Sequence, residues 1–117
     1  RINKKNMIIY VDIDETICFN INEDKACARD YGMAKPIAEN IEAINKLYDA
    51  GHEITYWTAR GTVTGINWYD LTKKQLISWG AKHHNLLLGK PAYDLYIDDK
   101  SINTKKWEEL GRCIPEL

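Results

Sequence analysis

Apolar and polar positions change their period several times along the chain, and each change predicts an element. Met7-Ile8-Ile9-Tyr10-Val11 is apolar without alternation, which predicts a strand buried on both faces at the centre of a parallel sheet. From Pro36 onward, Ile37, Ile41, Ile44, Leu47 and Tyr48 recur at helical spacing, with Pro36 in the first turn and Gly51 as a stop. Ile54-Thr55-Tyr56-Trp57 predicts a second strand, Ile66 to Trp79 a helix closed by Gly80, and Leu86-Leu87-Leu88 a third strand. Leu95-Tyr96-Ile97 predicts a fourth strand. Thr104 caps a final helix through Leu110, with Gly111 after it and a terminal strand at Cys113-Ile114. Strands alternating with helices predict a doubly wound, Rossmann-like α/β fold, in which ligands sit at the carboxyl ends of the strands.

The 117 residues fit a single domain spanning 1–117, and 44% hydrophobic with 28% charged residues is a globular composition. A net charge of -1 provides no basic field, which argues against nucleic acid and anionic lipid as partners. The apolar runs are too short to cross a bilayer, and no signal-peptide core follows the polar residues 1–6, with Met7 a natural start. Cys18, Cys27 and Cys113 are odd in number and lie far apart, which suits a reducing cytoplasm and argues against zinc.

The predicted strand ends collect polar chemistry: Asp12 and Asp14 after the first strand, Thr58 and Arg60 after the second with the backbone N–H of Ala59 between them, Asp98 and Asp99 after the fourth. Four carboxylates at one edge repel one another unless a cation lies between them, and an oxygen-only set selects a hard ion, Mg²⁺ before Ca²⁺. The sequence Asp12-Ile13-Asp14-Glu15-Thr16 after a hydrophobic strand resembles the first motif of the haloacid dehalogenase (HAD) superfamily. Thr58 resembles its second motif, Lys90 its third and Ile97-Asp98-Asp99 its acidic fourth, in order across nearly the whole chain.

The resemblance implies a strand order near 3-2-1-4-5, no cap domain, and a Mg²⁺-dependent phosphatase. It makes Asp12 the nucleophile that forms an aspartyl-phosphate, and Asp14 the general acid and base. It makes Thr58 and Lys90 phosphoryl-binding groups, with Asp12, Asp14, Asp98 and Asp99 around the metal and Asp99 the favoured direct ligand. Lys73 and Lys74 are alternatives to Lys90, and Asn103 stands where some branches carry another aspartate. Residues about 17–35 have room for a flap, whose Asn20, Asn22, Glu23, Lys25 and Arg29 could meet a polar leaving group. Arg60 is expected to bind substrate or to pair with a carboxylate, and Trp68 to stack on a sugar or fill an interface. His83-His84 is expected to be an exposed turn.

A small phosphorylated metabolite is the expected partner, with a sugar phosphate first and surface-polysaccharide metabolism its setting, and a homo-oligomer closing the open site. The alternatives are a nucleotide or nucleic-acid end phosphatase of the same fold, a receiver-like phospho-switch, and a non-catalytic metal-binding module. In a receiver the phosphoacceptor aspartate follows the third strand, whereas here Gly89-Lys90 follows Leu86-Leu87-Leu88.

Overall fold

The computed structural model describes residues 6–20 and 30–114; of the flap residues named above, 22, 23, 25 and 29 lie outside this set, as does Cys27. Strand β1 (Ile8–Val11) leads through a tight turn to β2 (Cys18–Phe19), and a short 3-10 turn (Tyr31–Met33) precedes β3 (Lys35–Pro36). Helix α1 (Ala38–Asp49), strand β4 (Glu53–Trp57), helix α2 (Tyr69–Ser78), strand β5 (Asn85–Leu87) and helix α3 (Thr104–Glu109) follow.

The larger sheet is parallel, in the order β1-β4-β5. Its middle strand is β4, whose Ile54, Thr55 and Tyr56 are all buried, because both edges are paired and both faces are covered. The expectation that Met7–Val11 lies at the centre is therefore corrected: among the described residues β1 is an edge strand, with Ile8 69% and Tyr10 55% exposed. The sheet packs into a core of Ile13, Ile17, Ile41, Ile44, Ile54, Leu76, Leu86 and Trp107. Each such side chain contributes roughly 1.5–3 kcal/mol when fully buried.

The helical periodicity from Ile37 to Tyr48 is realised in α1, with Ile41 and Ile44 facing the core, although the helix begins two residues after Pro36. Pro36 instead pairs with Cys18 in an antiparallel hairpin of β2 and β3 that the sequence pattern does not announce. Helix α2 starts at Tyr69 and not Ile66, because the Asn67 side chain accepts a hydrogen bond from the Tyr69 N–H at 3.0 Å and turns the chain just before it. Helix α3 is capped by Asn103, whose side chain accepts from the Lys105 N–H at 2.8 Å, so the cap lies one residue before Thr104.

Leu95-Tyr96-Ile97 forms no strand, and neither does Cys113-Ile114. Residues 91–103 are exposed throughout, Ile97 at 87%. Gly89 at φ +87° and Pro91, which has no N–H to give to a ladder, turn the chain away from the sheet, and Tyr93 packs on Tyr96 at 5.5 Å between ring centroids. The structure is an α/β fold consistent with the Rossmann-like class. Among the described residues no helix is long and apolar enough to cross a membrane.

Candidate active site

Alternating burial after β1 sets the first site residues. Ile13 and Ile17 are wholly buried, and both the Thr16 and Ile17 N–H groups donate to the Ile13 carbonyl, forming a turn in which Asp12 and Asp14 face outward to one cavity. Glu15 completes the turn in the left-handed region at φ 64°. The second contribution comes from the end of β4, where the Thr58 N–H donates to the Leu87 carbonyl. The third follows β5, where the Lys90 N–H donates to the Thr58 carbonyl. Three parallel strands thus deliver Asp12, Ala59 and Lys90 from their carboxyl ends to one open cavity of about 250 Å³.

Lys90 Nζ lies 3.4 Å from Asp12 Oδ1 and near the rings of Trp57 and Tyr93, at 5.9 and 5.5 Å from their centroids. Burial holds the Asp12 carboxyl above its ordinary range, and the Lys90 ammonium opposes that rise. Of the alternative lysines, Lys73 engages His83 at 2.9 Å, and Lys74 is exposed on α2.

Arg60 does not face the solvent side of the cavity, and its side chain is fully buried. Its Nε and Nη2 donate to the two oxygens of Asp14 at 3.0 Å each, and its Nη1 donates to Thr72 Oγ1 at 3.0 Å and Gln75 Oε1 at 2.6 Å. The Tyr31 ring covers the guanidinium at 4.5 Å. Of the two expected roles for Arg60, the structure shows the carboxylate pairing.

Asn20 also donates to Asp14 Oδ1, at 3.0 Å, so it serves this carboxylate rather than a leaving group. Cys18 Sγ lies 3.5 Å from the same oxygen, and burial, reinforced by the Asp14 charge, pushes its thiol up to about 12. Thr58 is buried, with its hydroxyl accepting the Arg60 N–H at 3.1 Å; it does not line the cavity, and it shapes the loop that carries Ala59 and Arg60.

Tyr31, Thr72 and Gln75 were not singled out by sequence. The signal for two of them was legible: Thr72 and Gln75 are polar residues beside Leu76 on the buried side of α2, where a buried charge needs acceptors. Trp68 is half-buried beside a second cavity, edge-on to Tyr31 at 5.1 Å.

Asp98 and Asp99 lie on the exposed segment after Lys90, and Asp98 Oδ2 accepts the Lys100 N–H at 3.0 Å. Among the described residues no group of three or more His, Cys, Asp or Glu side chains could hold a metal ion, so the four expected carboxylates are not gathered. Asp12 and Asp14, one paired with Lys90 and the other with Arg60, are the two expected carboxylates that share the cavity, and one or two carboxylates, with water and phosphate oxygens completing its roughly six, is the protein share a Mg²⁺ ion ordinarily takes.

No protein-family model and no curated protein matches the chain. A solved structure of a structural-genomics target from Vibrio cholerae is similar, with a TM-score of 0.72 and 24% identity, covering 92% of this chain and 95% of that one. The likeness is one of fold.

Proposed function

We propose that the chain is a phosphomonoester hydrolase of the HAD type, working through an aspartyl-phosphate on Asp12. The observation that carries this reading is the pairing of Asp12 with Lys90 at 3.4 Å, beside Asp14, in one open cavity at the carboxyl ends of parallel strands. An ester dianion resists an anionic nucleophile, and an ammonium beside the attacking oxygen lowers that repulsion. In the first step an Asp12 oxygen bonds to phosphorus as the bond to the leaving oxygen breaks. In the second, a water oxygen bonds to phosphorus, the bond to Asp12 breaks, and inorganic phosphate leaves.

Asp14 lies in the same cavity and is the group for proton transfer to the leaving oxygen and from the water. Arg60 is a positioning residue: its planar fork fixes both oxygens of Asp14, and Thr72 and Gln75 fix the fork.

The order β1-β4-β5 is compatible with the order near 3-2-1-4-5 that the resemblance implies. The other edge of β1 is open among the described strands, and Asp98 and Asp99, on the exposed segment after Lys90, take no part in the steps above. Mg²⁺ held by Asp12 and Asp14 would supply further screening of the ester's charge.

Phosphate release from a panel of esters, with Mg²⁺ and with chelator, beside Asp12→Asn, tests the reading. Many phosphates released per chain, lost in Asp12→Asn, is the expected result. Release of about one per chain would replace the enzyme with a phospho-switch.

A further inference from the structure

A second cavity of about 280 Å³ adjoins the first and shares Tyr31, Ala59 and Ala92 with it. Its remaining walls come from the loop between β4 and α2: Gly61, Val63, Thr64, Ile66 and Trp68. Among the described residues no charged side chain lines it, in contrast to its neighbour with Asp12, Asp14, Arg60 and Lys90. We infer that this cavity receives the leaving group of the ester, and that the group it fits is a planar aromatic ring; the inference rests on the phosphatase reading above.

Three observations carry it. The loop has a defined conformation: the Gly65 N–H donates to the Gly61 carbonyl at 2.8 Å, and Thr62 Oγ1 donates to the Lys90 carbonyl at 2.8 Å. Gly61 sits at φ +82°, where a Cβ would come within 2.0 Å of the Ile66 carbonyl oxygen, so the turn that presents these side chains requires glycine. The second observation is the pair of aromatic walls. Trp68 and Tyr31 meet at 83° and 5.1 Å, and Tyr31 is itself seated on the Arg60 guanidinium, so the wall shared by the two cavities is braced from behind.

The third observation is polarity and size. Val63 is 82% exposed and Ile66 is 46% exposed, which leaves apolar surface beside a charged site. The Thr64 hydroxyl already accepts the Ile66 N–H at 3.2 Å. A hexose would bring several hydroxyls to a wall with few groups to bind them, whereas a ring face needs none. The volume lies just under the roughly 300–1,000 Å³ of sites that enclose a whole drug-sized ligand, which suits a single ring system whose phosphate lies next door. The sugar phosphate placed first from the sequence therefore gives way to an aryl or nucleoside phosphate.

The test compares kcat/KM for phenyl phosphate, a nucleoside 5′-monophosphate, glycerol 3-phosphate and glucose 6-phosphate. Aromatic esters are expected to exceed the other two by about tenfold or more. The ratio of phenyl to glycerol phosphate is expected to fall about tenfold in Trp68→Ala, and about threefold in Ile66→Ser, which alters an exposed residue and spares the core. The phenyl and nucleoside arms separate the two sources of the ring.

Glucose 6-phosphate turned over as well as the aromatic esters, or ratios unmoved in both variants while turnover persists, would overturn the subsite and leave the phosphatase standing. If the wild type turns over nothing, calorimetry with phenyl phosphate decides. Binding weakened by Trp68→Ala retains the subsite and removes the phosphatase reading, and equal affinity for phenyl and glycerol phosphate removes the subsite.

Discussion

Arg60 grips Asp14 through two parallel hydrogen bonds, Nε to Oδ2 and Nη2 to Oδ1, each 3.0 Å long. The pair lies where water contributes little, so the remaining Arg60 donors must be satisfied by protein, and Thr72 and Gln75 of α2 do so. Arg60→Lys keeps the charge and loses the fork. It is expected to cost about 3 kcal/mol of stability, read as a lowered urea midpoint. A double-mutant cycle with Asp14→Asn should show strong coupling, and additive effects would separate the two residues.

Asp12→Asn removes the attacking oxygen's charge while keeping the shape of the side chain. Phosphate release should fall by more than about 10³-fold with the far-ultraviolet circular dichroism unchanged. Trapping of radiolabelled phosphate on the chain should vanish with it.

Lys90→Met keeps an unbranched stem between Trp57 and Tyr93 and deletes the ammonium beside Asp12. The expected loss in kcat is about 10²–10³-fold, the scale found when a fixed positive or hydrogen-bonding group is taken from a developing oxyanion. An unchanged kcat, with the variant folded, would remove Lys90 from the chemistry.

His83 carries a pH effect on stability. Its Nδ1 bonds the Ala81 carbonyl at 2.8 Å, which accepts only, so Nδ1 holds the proton and Nε2 accepts from the Lys73 ammonium at 2.9 Å. Burial, more than the nearby Lys73 charge, holds the ring below its ordinary 6.5. As the pH falls through 6.5 the unfolded chain takes up this proton before the folded one does, so the contribution is complete above that pH and is lost below it. The fall in urea midpoint between about pH 7.5 and pH 5.5 should be smaller in His83→Gln than in the wild type.

Legibility in the sequence followed the strength of local signals. Apolar residues at helical spacing from Ile37 to Tyr48 announce an amphipathic helix, and α1 forms there. The placement of Asp12 and Asp14 was legible because each follows a strand or alternates with a buried isoleucine. The start of α2 was missed because Ile66 and Trp68 continue an apolar period that Asn67 interrupts by bonding the backbone. The hairpin of β2 and β3 is too short for any period to show. Leu95-Tyr96-Ile97 has strand composition, yet pairing depends on what a distant edge offers, and composition does not report that. Arg60 was ambiguous because its burial depends on Thr72 and Gln75, which a helical repeat brings close only after folding.

Asn40, wholly buried in α1, holds the turn after Asp14 from a distance. Its Nδ2 donates to the Thr16 carbonyl at 2.8 Å and to Glu108 Oε2 at 2.7 Å, and its Oδ1 accepts from Arg112 Nε at 2.6 Å. Thr16 also meets Thr104 hydroxyl to hydroxyl at 2.8 Å. The acidic turn is written near the start of the chain, yet Thr104 meets it from 88 positions later, and Glu108 and Arg112 hold the Asn40 that braces it. On the ribosome, then, the sheet can begin to assemble while that turn waits, and its final shape is set only when α3 has emerged and its residues have closed these long loops.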